Sequence, residues 1–441
     1  MRQRGERGPF LFFANVEQLS RVWQEKNSWK GKIMSTVRWV GKALKQAQVN
    51  TITPANVGVG NIFNTIINGK TIPFTATAGT VANVTAGAVT ENQDAAANNG
   101  EFGEVTWEDS TTLVTATASE AGKPFTQTSS ASGGTATFTT ATTVANSSPN
   151  DANDAVNYDG GALPISNDTL NLDTNGIDLL WNLGSLSAVT LTAMNRRFDF
   201  TGKIGLPEYD TTGYFQYRAT EFAISATTAL IEQPASDEAE HIKLNFGAAQ
   251  TALTVKGEGG GSIGSEQLWW RGTHASNVVN LMNASMACAL KSSQTAVIAT
   301  LTAEGSTFRG GTGVTLTTIN ALDSTFDLSS NVATFTQRGD ASELTCHGTM
   351  TMTTLNAYAG KVVHKGTGTI TTLALGAGAE IDFSEGVGAL TITNAITMNA
   401  GAIFWDPQGR TTQSAGFTLA AGVALSDVVI NVGPGRTVTI S

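Results

Sequence analysis

Apolar residues return at fixed intervals through the C-terminal part of the chain. Phe308, Phe326, Leu344 and Val362 fall 18 residues apart, and Ile381 follows after 19. A second series, Leu301, Ile319, Leu355 and Leu373, falls on multiples of the same 18, with polar Gln337 in the missing place. Around it the text itself repeats, as Thr317-Thr318-Ile319, Thr353-Thr354-Leu355 and Thr371-Thr372-Leu373. Between these points apolar and polar residues alternate, the period of a strand with one buried face. A chain with both periods coils so that equivalent side chains stack. A flat sandwich would alternate too, but it has no reason to keep two phases in register over several coils. The spacing therefore predicts a mainly β protein in which residues 161–441 form an elongated parallel β-helix, or β-solenoid, with about 18 residues per coil; a right-handed winding is the expectation, though the spacing itself does not set the hand. Leu301, Phe308, Ile319, Phe326, Leu344, Leu355, Val362, Leu373 and Ile381 are its expected core. Glycines at 310, 311 and 313, at 366 and 368, and at 376 and 378 lie between the phases, where a coil must turn.

Upstream the pattern changes. Strand-like stretches at 48–53 and 61–67 lead to Asn68-Gly69, a strong hairpin signal, and then to a third at 71–76. Val81, Val84, Ala88 and Val89 have near-helical spacing and predict a helix within 80–97. Further strands are expected at 104–108, 112–118, 125–129 and 135–143. Residues 36–145 thus read as a small α+β anchoring module. Asn, Asp, Ser and Ala dominate 146–160, which reads as a linker. Residues 1–35 form an N-terminal extension or docking segment; 1–33 are either a short amphipathic docking helix or a stretch upstream of a start at Met34.

Composition narrows the class. Charged residues make up 14% of the chain, against about 25% in ordinary globular proteins. Neutral hydroxyls and amides must cover the surface, which suits stacked strands and Thr ladders better than helices. The net charge of -10 is unevenly divided: the first 50 residues hold ten Lys/Arg against three Asp/Glu, so the remaining 391 carry -17. That acidic bulk argues against a nucleic-acid partner, which would need a basic stripe. No run approaches the roughly 20 apolar residues of a membrane span. Phe10–Val16 is apolar but short, and runs into Glu17 and Arg21, unlike a secretion signal.

Candidate chemistry is sparse. Cys288 and Cys346 lie 58 positions apart and read as small core fillers. His241, His274, His347 and His364 give neither metal-ligand spacing nor a Ser/His/Asp constellation. Cys346 and His347 are adjacent and point to opposite faces of a strand. The glycines of 257–261 lack the following helix and lysine of a phosphate loop. No cofactor or metal is expected. Glycoside hydrolysis requires two carboxylates roughly 5–10 Å apart in one groove. Asp323 and Asp327 would project about 13 Å apart along a strand, and Asp382 and Glu385 would fall on opposite faces. The chain is therefore read as non-enzymatic. Trp269, Trp270 and Arg271 concentrate aromatic area and charge and form a possible binding surface. Trp181 and Phe404-Trp405 look like core or cap residues.

The segments Val49-Asn50-Thr51-Ile52-Thr53, Ile66-Ile67-Asn68-Gly69-Lys70, Phe74-Thr75-Ala76-Thr77-Ala78 and Ala121-Gly122-Lys123-Pro124-Phe125-Thr126 together resemble a small module of bacteriophage tail and other structural proteins. Asn157-Tyr158-Asp159-Gly160-Gly161-Ala162-Leu163-Pro164, followed by Asp168-Thr169, is similar to the opening turn of β-helices in autotransporter-type surface proteins and phage fibres. Tyr158 stands where that turn usually has Trp. The resemblance implies a virion protein of fibre, spike or decoration type, homo-oligomeric and most simply trimeric. Its partners would be capsid or tail proteins and a host surface glycan. A bacterial cell-surface adhesin and a glycan-degrading tailspike are the alternatives.

Overall fold

The structure, a computed structural model, describes residues 35–207, 210–211, 214–215, 218–259 and 261–440. The expectations for residues 1–33 lie outside the described residues. The protein is mainly β, 45% strand and 8% helix, and is dominated by a parallel β-solenoid of about 11 turns. The chain winds alternately through a 15-stranded and an 11-stranded sheet. In the 11-stranded sheet Phe308 pairs with Phe326, Phe326 with Leu344, Leu344 with Val362 and Val362 with Ile381. The same column continues to Phe404 and Ile430. All but Ile430, which packs partly buried against it, lie within one continuous core, as do Leu301, Ile319, Leu355 and Leu373 of the other sheet.

The coil averages about 21 residues rather than 18. Leu253 pairs with Val279 and Val279 with Leu301, steps of 26 and 22 residues, and Ile381 pairs with Phe404 after 23. Strand pairing sets the rise per coil, while the loops at the corners lie on the surface and can lengthen freely. The 18-residue period is a local property of the central coils, where those loops are shortest.

Gln337 does not occupy the slot that an even period assigns to it. Ile319 pairs with Phe335 and Phe335 with Leu355, so a coil of 16 residues is followed by one of 20 and Phe335 fills the apolar column. Gln337 stacks between Ala321 and Ala357. It is fully buried, and its Nε2 donates to the carbonyls of Ser342, Ala359 and Lys361 at 3.2, 2.9 and 3.3 Å.

Two devices shape the corners. Along Val314–Leu322, Leu316, Ile319 and Ala321 are buried while Thr317 and Thr318 both face outward. Strict alternation would bury Thr318, so the strand bends at the Thr pair, and Thr353-Thr354 does the same in Thr349–Ala357. At another corner buried serines form a polar column. The N–H groups of Ala284, Ser306 and Ser324 donate to the hydroxyls of Ser306, Ser324 and Ser342 at 3.1, 3.1 and 3.3 Å. The Ser306 and Ser324 hydroxyls donate in turn to the carbonyls of Glu304 and Leu322 at 2.7 and 2.8 Å. A buried donor left unpaired costs about 1–3 kcal/mol, so each serine stabilises the bend of its neighbour coil as well as its own.

The N-terminal module contains an antiparallel sheet ordered Val105–Asp109, Val114–Ala118, Val49–Ala55 and Thr137–Val144. A second sheet is ordered Lys70–Thr75, Ile62–Ile67 and Gln127–Ser132. The helix Val81–Ala96 begins where the Thr80 hydroxyl accepts from the N–H of Asn83 at 3.3 Å. Ile52, Phe63, Val84, Phe102, Trp107 and Phe138 belong to a core separate from that of the solenoid.

The module is inserted into the solenoid rather than joined to its end. Thr36–Arg38 pairs in parallel with Thr169–Leu172, and Trp39, Ala152 and Tyr158 belong to the solenoid core. The chain leaves at Gln46 and returns at Ser147, whose carbonyl accepts from the Gln46 N–H at 2.9 Å. The 146–160 segment, a linker by composition, is a packed turn in which Asp151, Ala152, Asn157 and Tyr158 are buried. The Asn157 Nδ2 donates to the carbonyls of Ser148 and Asp151 at 2.6 and 2.8 Å, and its Oδ1 accepts from the Ala43 N–H at 2.8 Å. Asn and Asp satisfy the irregular backbone here, and their abundance imitates a linker for that reason.

Candidate functional site

Strand alternation divides Trp269-Trp270-Arg271. Trp270 points into the core, where its Nε1 donates to the Gln250 Oε1 at 2.7 Å. Trp269 and Arg271 face outward and half-buried. The Lys243 ammonium sits 4.9 Å from the centre of the Trp269 ring, and the Arg271 Nε lies 3.0 Å from the Glu221 Oε2. Two of the three residues therefore remain available to an outer surface. Further along, Phe404 is buried in the core and Trp405 is exposed.

Three of the four carboxylates weighed for hydrolysis are paired with other groups. Asp382 accepts from the Ser384 N–H at 2.8 Å and faces the Lys361 Nζ at 3.3 Å. Burial alone would raise its carboxyl, but the Ser384 hydrogen bonds and Lys361 outweigh it and hold the group below the usual carboxylate range. Glu385 pairs with Lys365 at 2.8 Å and Asp327 with His347 at 3.0 Å. Asp323 occupies a positive-φ corner, at 46°. No group of three His, Cys, Asp or Glu among the described residues could hold a metal ion. Cys288 and Cys346 are free and buried, and burial raises both thiols. No described helix is long and apolar enough to cross a membrane.

A cavity of about 640 Å³ lies where the module meets the first coils, lined by Lys45, Glu104, Glu120 and Lys123 from one side and Trp181 and Arg218 from the other. Glu104 is held between two cations: the Lys123 Nζ lies 2.6 Å from its Oε1, and the Arg218 Nη2 bonds its Oε2. The Arg218 guanidinium lies 5.2 Å from the Trp181 ring centre. Sequence spacing could not find this constellation, because Glu104 and Arg218 are 114 residues apart and only the insertion brings them together. No protein-family model, curated protein or solved structure matches this chain. The geometry alone therefore carries the reading of its function.

One buried base gives the solenoid a pH dependence. His364 is fully buried beside Phe383, with ring centres 6.0 Å apart. Burial, then the nearby Arg410 charge, pushes its pKa down from 6.5 to about 4. The folded form binds the proton less readily than the unfolded chain. Stability is therefore full above about pH 6.5 and is lost as pH falls toward 4, by about 3 kcal/mol. His364→Phe should remove this part of the acid sensitivity. Denaturant midpoints of both proteins at pH 7 and pH 4 check it, and an equal drop in the two would exclude His364 as the source.

Proposed function

We propose that the protein is a non-enzymatic structural component of a bacteriophage particle, of fibre, spike or decoration type. It anchors through its N-terminal part and projects the solenoid for surface or receptor binding. The observation that carries this reading is the continuous core running from Trp39 to Val432, around which Asp382 and Glu385 are paired with lysines and Asp382 also accepts from a backbone N–H. Such a shaft holds its shape through nearest-neighbour contacts and needs no reactive centre. Its winding is right-handed, in keeping with nearly all parallel crossover connections. Exposed Met282, Leu322 and Tyr358 on its flanks favour assembly with further copies, most simply as a trimer. The excess of basic residues before residue 50 suits an acidic shell on the particle.

Two measurements test the reading together. Mass spectrometry of purified particles should find the chain in stoichiometric amounts. The purified protein, incubated with host capsular or lipopolysaccharide glycans, should release neither reducing ends nor unsaturated sugars. Release that disappears in Asp382→Asn would show that the shaft carries a hydrolytic site.

A further inference from the structure

We infer that the junction cavity binds a carboxylate-bearing saccharide unit. This goes beyond the proposed structural role and does not rest on it. Arg218 is the starting point. Its side chain is 12% exposed and its Nη2 is taken by Glu104, yet its Nε and Nη1 are buried without a hydrogen-bond partner among the described residues. Buried donors of a charged group are normally satisfied, and Arg218, with two left open, lines the cavity, where a bound anion can supply an acceptor once the side chain turns toward it.

The rest of the wall says what kind. Lys45, Lys123 and Arg218 outnumber Glu104 and Glu120 by one positive charge, which favours a single anionic group. Inorganic phosphate keeps one or two hydroxyls at neutral pH, but it is compact and has no C–H face to lay on the apolar part of the wall. A sugar acid both accepts and donates: its carboxylate accepts from Arg218 and Lys123, and its hydroxyls donate to Glu120 and Asn150. Trp181, Leu206 and Pro207 supply apolar surface for the C–H face of a pyranose ring. The volume, about 640 Å³, falls in the range of small-ligand sites.

The full chain should be titrated by calorimetry with glucuronate, glucose and inorganic phosphate. Glucuronate should bind in the millimolar range, and glucose and phosphate at least tenfold more weakly. Arg218→Lys keeps the charge but loses the planar donors and should weaken glucuronate at least tenfold. Lys45→Met, a change at an exposed position, should weaken it severalfold with an unaltered circular dichroism spectrum. Phosphate binding as tightly as glucuronate would reduce the cavity to a plain anion site and overturn the assignment. Equal binding of glucose would show that the cations are not read. Absence of all three from a folded protein would overturn the proposal altogether.

Discussion

Leu355→Asp should disrupt the central coils, whereas Thr354→Asp, one residue earlier, should leave them folded. Leu355 is fully buried between Phe335 and Leu373 in the apolar column. Replacing it removes a packed side chain, worth about 2–5 kcal/mol, and adds an unpaired carboxylate whose burial costs several kcal/mol more or forces its protonation. Thr354 sits on the outward bend and pairs with Thr334 and Thr372, so a carboxylate there reaches water. Thermal melts followed by circular dichroism, with limited proteolysis to locate the damage, distinguish the two. Comparable losses in both variants would mean that the strand does not bend at Thr353-Thr354.

Removing residues 1–159 should unravel the first coils although the cut falls in a segment composed like a linker. The cut takes away Thr36–Arg38, which pairs with Thr169–Leu172, and Trp39, whose ring meets Tyr158 edge-on at 5.4 Å and whose Nε1 donates to the Ile177 carbonyl at 3.1 Å. Losing a buried Trp alone costs about 3–5 kcal/mol. Hydrogen exchange on a 160–441 fragment should find Thr169–Leu172 and Leu191–Arg196 unprotected, with Val314–Leu322 as slow as in the whole chain. Trp39→Ala in the full chain should loosen the same two strands. Protection of Thr169–Leu172 in the fragment equal to that in the whole chain would show that residues 36–39 contribute nothing to the first coils.

These outcomes follow from what could and could not be read in the chain. Phe308, Phe326, Leu344 and Val362 advertise a solenoid because their coils have equal length, and equal length turns spatial stacking into sequence period. Where a corner loop grows or shrinks, stacking persists and the period vanishes, which is why Phe335 is invisible as the partner of Leu355 and Gln337 stands in its place. The serine column was equally hidden, since a hydroxyl reads as surface until its neighbours show it buried. The Arg218 and Glu104 pairing lay beyond any local signal, being a product of topology. Asn157 and Asp151 carried the opposite message to their role, because the residues that saturate a packed turn are those that fill a loose one.

The neighbouring positions of Gln46 and Ser147, joined by a 2.9 Å hydrogen bond, make everything between them a cassette. Its two ends enter the shaft side by side, so another folded unit with adjacent termini could be spliced into the same socket without altering the winding of a single coil. The shaft then becomes a standard fitting, and what the protein presents at that end is open to exchange in one recombination event.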